Sequence, residues 1–401
     1  MKLLILTYGT EGDTRPLAAL GHAMRMAGHE VHLMGDARTL VSAHEHGVPA
    51  SALSGDIREL FAESSGGGAS ATAKALARLT NRNTRAWTVE TLAAARGCDA
   101  LLVSGLAGFV GLSVAEHLRI PAIGAGMIPL TPSREFASPF LPAGRVPSWL
   151  NRASLELTNR MFWLAFRKTL NAARETVLGL RARKSLPTGH PMLYGISPTI
   201  LPQPADWPVQ ARLCGQWVAP SGDFTPPPEL AAFLEAGPPP VYAGFGSMAG
   251  IDGPRTIRAI VSALEGRRAL FFPGWSGMDE VELPSNVLRI GPMPHDWLFP
   301  RTAAVIHHGG SGTTHSATRA GKPSVIVPFA GDQSFWAERL ARLGIAPPAV
   351  NGSRISAKAL REALEFVDRP AVQAKAARLG EKMAGEDGPG GAIRAIEELV
   401  R

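Results

Sequence analysis

Val305-Ile306-His307-His308-Gly309-Gly310-Ser311-Gly312-Thr313-Thr314 reads as a strand buried on both faces, two histidines, a glycine turn and the first residues of a helix. At such a junction the free N–H groups of a helix start and the helix dipole favour an anion. The small residues let a diphosphate approach the backbone, while His308 and Thr313 can donate from their side chains. The same rhythm continues on both sides. Val241 to Ala243 leads into Gly244-Phe245-Gly246-Ser247, a second turn of phosphate-facing type. Ser324 to Val327 leads through Pro328-Phe329-Ala330-Gly331 to Asp332-Gln333, polar residues able to read adjacent hydroxyls or to cap a helix. Ala269 to Phe272 and Val287 to Ile290 are further strands, with helices over Arg255 to Leu264, Gly312 to Ala320 and Gln333 to Leu343.

The beginning of the chain repeats this pattern. Leu3 to Leu6 is an apolar run, Gly9-Thr10-Glu11-Gly12-Asp13 the turn, and Leu17, Leu20, Met24 and Ala27 follow at helical spacing up to Gly28. Strands recur at Val31 to Met34, Ala100 to Val103 and Pro121 to Ile123. Asp13 has two readings, a helix cap and a general base at the mouth of a strand. Between the halves, Pro187 to Pro240 holds thirteen prolines in 54 residues, which reads as an ordered linker without regular elements. The expected fold is α/β, two Rossmann-like parallel-sheet domains facing a cleft. Residues 1–198 form the first, 199–240 the linker and 241–401 the second, whose last helix has the option of crossing back to the first domain. Trp149 to Leu180 stands out as a long helix with Leu157, Met161, Leu164 and Phe166 among arginines. It suits an amphipathic core helix, a lipid-facing surface or an apolar pocket wall.

Composition narrows the function classes. With 45% hydrophobic and 19% charged residues, a chain of 401 residues can bury two cores and is not disordered. Two cysteines, Cys98 and Cys214, exclude a disulfide framework or a cysteine zinc site and suit a reducing compartment. The apolar, uncharged stretch Ala100 to Ala115 is 16 residues, short of the ~18 that span a bilayer. The expected location is the cytoplasm, with peripheral contact to a membrane left open. The charge of +7 comes from scattered arginines without a zinc-finger or RNA-recognition signature, so no nucleic-acid partner is expected.

Five ordered pieces resemble the family-1 nucleotide-sugar glycosyltransferases with two Rossmann-like domains (GT-B type), most of all their sterol glucosyltransferase and antibiotic glycosyltransferase branches. They are Gly9 to Pro16, Gly244 to Met248, Pro294 to Pro300, His307 to Thr314 and Gly331 to Gln333. The resemblance implies an inverting, metal-independent transfer of a hexose, glucose from UDP-glucose, to a hydroxyl of an apolar acceptor such as a sterol or polyketide. Asp13 would be the catalytic base. The donor would be held by Ser247, Trp275, Pro292, Met293, His308, Gly310, Ser311, Gly312, Thr313, Asp332 and Gln333. Thr10, Gly12, Phe109, Met127, Phe136 and Met161 would stand on the acceptor side. No cofactor is implied besides the UDP-sugar co-substrate. No metal is expected either, because no two aspartates in the chain are separated by a single residue, as an Asp-x-Asp metal clamp requires. Two features depart from the plant branch: Ser316 stands where a carboxylate binds ribose, and Pro292-Met293-Pro294-His295 replaces the uracil-stacking motif. A catalytically silent accessory homologue and a nucleotide-sugar epimerase are the alternative readings. His295 and Asp296 are expected to be structural, Asp296 capping the short helix that follows.

Overall fold

The run Leu3 to Leu6 forms the buried strand β1 (Lys2–Leu6), and the first half of the molecule is arranged around it. The computed structural model describes residues 1–57, 68–220, 222–246, 253–274 and 282–400, with the backbone alone for 68–71. With β2 (Glu30–Asp36), β3 (Ala50–Leu53), β4 (Ala100–Val103), β5 (Ala122–Gly126), β6 (Met192–Tyr194) and β7 (Ala211–Leu213), β1 builds a seven-stranded sheet. Its spatial order is β3-β2-β1-β4-β5-β6-β7, every neighbouring pair parallel. The second sheet has the order β10-β9-β8-β11-β12, again all parallel, from β8 (Val241–Gly244), β9 (Ala269–Phe272), β10 (Val287–Arg289), β11 (Ala304–His307) and β12 (Ser324–Ile326).

The helices cover both faces of each sheet, as parallel strands buried on both sides require. In the first half these are α1 (Glu11–Met26), α2 (Val41–Glu45), α3 (Gly68–Ala95), α4 (Gly108–Leu118) and α5 (Asn151–Thr176). The second half contributes α6 (Pro228–Glu235), α7 (Gly253–Leu264), α8 (His295–Leu298), α9 (Ser311–Arg319), α10 (Gln333–Arg342), α11 (Ala357–Val367), α12 (Pro370–Ala384) and α13 (Gly388–Val400). Leu17 of α1 shares a core with Leu3, Ile5 and Leu33, while Trp87 of α3, Val114 of α4 and Trp163 of α5 fill the opposite face. Helix α13 returns to the first sheet: Ala392, Ala395 and Ile396 join the α1 core, and Arg212 meets Glu398 at 2.7 Å. A further core spans the two halves, where Phe136, Tyr194 and Trp207 pack with Phe335, Trp336 and Leu340. On the outer side, buried Arg174 of α5 grips both carboxylate oxygens of Glu116 on α4 at 2.8 and 3.1 Å, which pulls the Glu116 carboxyl down to about 2.

The proline-rich stretch corrects an expectation. It carries β6, β7 and α6, so the first sheet runs on to Leu213 rather than ending near residue 198. The prolines flank the strands instead of interrupting them: Pro191 and Pro198 bracket β6, and β7, the edge strand, lies between Pro208 and Pro220. A three-residue strand needs only a short proline-free window, and an edge strand tolerates neighbours that cannot donate.

In both sheets the chain reverses direction of winding next to its first strand, between β1 and β4 and between β8 and β11. A crevice opens at the carboxyl end of such a switch point. The turn after β1 leads to Asp13, and the turn after β11 to His308.

Candidate functional site

Helix α1 begins at Glu11 with extended Thr10 as its N-cap, which makes Asp13 the third residue of the helix rather than the cap itself. Its Oδ2 accepts the Thr10 N–H at 2.8 Å and the Thr10 hydroxyl at 3.2 Å, as the reach-back carboxylate of a capping box does. Its Oδ1 makes no hydrogen bond among the described residues. The two roles open to Asp13 therefore divide between its oxygens, one closing the helix end and one facing outward. Burial raises its carboxyl above the usual range, and the two bonds from Thr10 work against that rise. Gly9 has to be glycine, because a Cβ there would collide with Asp13 Oδ2.

The turn after β11 is built as tightly. His307 is buried, and its Nδ1 accepts the Gly309 N–H at 3.1 Å. Gly309 adopts φ +92°, and a Cβ on it would run into Ile326 and the Gln333 carbonyl. The His308 ring lies against Gly310, where any Cβ would strike Nε2, and against Gly246 on the other side. Burial pulls His308 down to about 4, so at neutral pH it offers an N–H dipole and no charge. Its Nδ1 is a buried atom without a partner. In α9 the first intrahelical bond is Thr314 N–H to the Gly310 carbonyl at 3.0 Å, which leaves the amides of Ser311, Gly312 and Thr313 ahead of the ladder. A Cβ on Gly312 would meet nothing within 4 Å, so the space above this helix end is open. The arrangement suits an anionic oxygen cluster bound by backbone amides.

Asp332 holds the N-cap position of α10 without a side-chain capping bond, and Trp336 one turn on donates its Nε1–H to Oδ2 at 2.6 Å. Burial pushes the Asp332 carboxyl up to about 6, the Trp336 bond opposes this, and the charge of Asp13 adds to the rise. Asp13 and Asp332 thus lie within electrostatic reach of each other from the two halves, and α1 touches α9. His315 links the two helix ends. Its Nδ1 bonds the Ser311 carbonyl at 2.7 Å, and its ring meets Trp336 edge-on at 5.1 Å. From the segment joining the halves, Gln216 donates to the Ser316 hydroxyl at 3.2 Å. His315, Trp336 and Gln216 were not anticipated from the sequence. The Asp332–Trp336 spacing of four was the one available signal.

The structure adjusts several expected site residues. Gln333 is buried, and its Oε1 accepts from Phe329 and Ala330 at 2.7 and 3.0 Å. That oxygen holds the preceding turn rather than reading a hydroxyl. Pro292 is exposed and Met293 partly buried in the loop after β10. Ser247 and Trp275 lie outside the described residues. His295 stacks on Phe299 with ring centroids 4.2 Å apart. Asp296 is not the cap of α8, since Pro294 holds that position.

The expected acceptor group does not assemble into one pocket. Thr10 and Gly12 flank Asp13, but Met127 is buried in the α1-side core with Trp217. Phe136 is consumed by packing against Phe335 at 5.5 Å between the halves. Phe109 packs edge-on against Trp163 at 5.8 Å, and Met161 points outward from α5. Apolar residues in an α/β domain are wanted by several cores at once: Met127, Phe136 and Phe109 went to three different ones, and Met161 stays exposed. Among the described residues no group of three His, Cys, Asp or Glu side chains could hold a metal, and no helix is long and apolar enough to cross a membrane.

Residues 259–399 match the family described as erythromycin biosynthesis protein CIII-like, C-terminal domain. The chain is 32% identical over 421 residues to the sterol 3-beta-glucosyltransferase UGT80B1 of Arabidopsis thaliana, covering 99% of this chain and 68% of that protein. It is 34% identical over 423 residues to a sterol 3-beta-glucosyltransferase of Emericella nidulans, spanning 99% of this chain but 30% of the fungal protein. Among solved structures, the kitacinnamycin glycosyltransferase superposes with a TM-score of 0.74 at 18% identity, over 100% of this chain and 99% of that one.

Proposed function

The chain belongs to the family-1 nucleotide-sugar glycosyltransferases of the two-Rossmann-domain type, and from that premise we propose an inverting, metal-independent hexosyltransferase. In this reading glucose passes from UDP-glucose to a hydroxyl of an apolar acceptor, a sterol or polyketide. The observation that carries it is the pairing of an outward oxygen on Asp13 with Asp332 and the open amide end of α9 across one cleft. The acceptor oxygen attacks the sugar C1 as its proton passes to Asp13 Oδ1. The C1–O bond to the diphosphate breaks on the opposite face, and its electron pair leaves with UDP. Amides of Ser311, Gly312 and Thr313 and the neutral His308 N–H meet the developing charge, the kind of preorganised dipoles that stabilise a leaving anion. Asp332 accepts from sugar hydroxyls with the oxygen Trp336 does not hold. The names of the relatives support the sterol acceptor. Cys98 and Cys214 are free thiols, which supports the cytoplasm as the compartment.

The test is a screen of UDP- and TDP-sugars against sterols, polyketides and flavonoids, read by mass spectrometry. A glucosylated sterol or polyketide from UDP-glucose is the expected product. A new sugar nucleotide formed from UDP-glucose alone would point to an epimerase, and no turnover without a partner protein to an accessory homologue. Run in excess EDTA, the transfer keeps its rate, because the helix end rather than a cation meets the diphosphate. Loss of turnover that Mn²⁺ or Mg²⁺ restores would contradict this.

The carboxylates also set the acid side of the pH profile. Both have raised values, Asp332 to about 6, and both act ionised. Hence kcat/KM is flat near neutrality and falls below about pH 6, by roughly tenfold per pH unit where one proton blocks the base. A profile that stays flat through and below that value removes the pair from the mechanism. In Trp336→Phe the opposing hydrogen bond is gone, so the acid limb moves to higher pH. The donor KM then rises roughly tenfold or more, the scale of a hydrogen bond to a charged group. Trp336 is buried, so a melting curve must accompany the kinetics.

A further inference from the structure

Helix α5 spends its two sides differently. Trp163 and Leu170 face the core of the first sheet, Phe166 packs on Phe109 beside it, and Leu155 joins the core that spans the two halves. At 100° per residue, Leu157, Met161 and Leu164 fall about 180–240° round from Leu155, on the side turned away from the protein. They are 57%, 63% and 51% exposed, and Trp149, just before the helix, is 80% exposed. Phe140 and Leu141 in the preceding loop are exposed as well. Six of the ten large hydrophobic side chains exposed among the described residues thus fall within 25 residues of sequence. An apolar patch of this kind marks a surface that meets something.

The charges around it identify the occupant. Residues 140–168 carry Arg145, Arg152, Arg160, Arg167 and Lys168 against the single acid Glu156, a balance of +4. Glu156 is taken up by Arg152 at 2.9 Å. Arg160, Arg167 and Lys168 border the stripe, are exposed, and make no ion pair among the described residues. We propose that this face of α5, with Trp149 at its edge, docks onto an anionic lipid surface. An exposed tryptophan, an apolar stripe and flanking cations match the headgroup boundary of such a membrane. A second copy of the chain fits less well, because a two-fold contact would set two such positive faces against each other.

The position of the face gives the docking a use. Asn151 and Ser154 of α5 hold the 134–138 segment by bonds of 2.8 and 2.9 Å, and Phe136 of that segment packs on Phe335 of α10, three residues past Asp332. A membrane touching α5 therefore lies alongside the seam between the halves. The inference goes beyond the transferase reading and stands without it, since lipid binding is measured with neither donor nor acceptor present.

The experiment is co-sedimentation of the full chain with vesicles of phosphatidylcholine, alone or mixed with phosphatidylserine. The wild type sediments with the anionic vesicles, is released by salt, and stays in solution with the neutral ones. The combined variant Arg160→Gln/Arg167→Gln/Lys168→Gln binds roughly a hundredfold more weakly, about fivefold per cation. The combined variant Trp149→Ser/Leu157→Ser/Leu164→Ser loses roughly tenfold or more while keeping its melting temperature, as exposed positions should. No binding by the wild type, equal binding to neutral vesicles, or unchanged binding by the Trp149/Leu157/Leu164 variant overturns the proposal. So does a dimer in light scattering that the same variant dissolves, which would assign the face to a second copy.

Discussion

Asp13→Asn lowers transfer by roughly 10² or more, the usual scale for a positioned general base, while UDP affinity stays within a few-fold of wild type. The amide is the informative replacement because Asp13 does two things. Its Oδ2 accepts from the Thr10 N–H and hydroxyl, and an asparagine oxygen can do the same. What the amide cannot do is take a proton from the acceptor hydroxyl. Asp13→Ala removes both functions and adds a cost of about 1 kcal/mol for the lost helix-end bond. If transfer collapses in both variants and melting falls only in Ala, the oxygens have separate duties. Near-normal transfer in Asn, with instability in Ala, would reduce Asp13 to a helix-end residue.

His308→Ala has the second large effect, and it falls on binding as well as on rate. The ring is fixed between Gly246 and Gly310 at the open end of α9, and burial keeps it neutral with a value near 4. It therefore contributes one N–H to a diphosphate oxygen, and its loss weakens UDP binding roughly ten- to a hundredfold, the range for a hydrogen bond to a charged group. Transfer slows further, because charge on the leaving oxygen grows in the transition state. His308→Gln, which keeps a donor of similar reach, recovers part of both. Calorimetry with UDP and steady-state kinetics read the two effects, and unchanged UDP affinity in the alanine variant would remove His308 from the donor site. Since the ring is neutral near pH 7, its contribution holds steady as pH rises from there.

Much of this arrangement is legible in the chain because parallel strands buried on both faces leave continuous apolar runs. Leu3 to Leu6 and Val305 to His307 emerge as strands for that reason, and Gly9, Gly309 and Gly310 after them mark places where a Cβ would collide. The readings that failed concern residues whose environment is set by distant partners. Phe136 and Met127 are apolar wherever they lie, and their sequence neighbours do not reveal that Phe335 or Trp217 waits for them. The proline-rich segment misled for a different reason. Proline density was high overall, yet windows as short as Met192–Tyr194 escaped it and paired into the sheet. Asp332 and Gln333 were legible as a polar pair at a strand end, but the division of labour between them came from Trp336 and from the backbone of the turn. Asp13 was left between capping and catalysis because a capping-box carboxylate and a general base ask for the same residue at the same place.

In the proposed complex a donor anchored at α9 presents its sugar to Asp13 across the cleft. A crystal structure with UDP-glucose bound tests this placement directly. The expected result is the β-phosphate within hydrogen-bonding reach of the Ser311 to Thr313 amides and His308, the hexose on Asp332, and C1 open toward Asp13 Oδ1. A diphosphate seated elsewhere, or a sugar carbon turned away from that carboxylate, contradicts it.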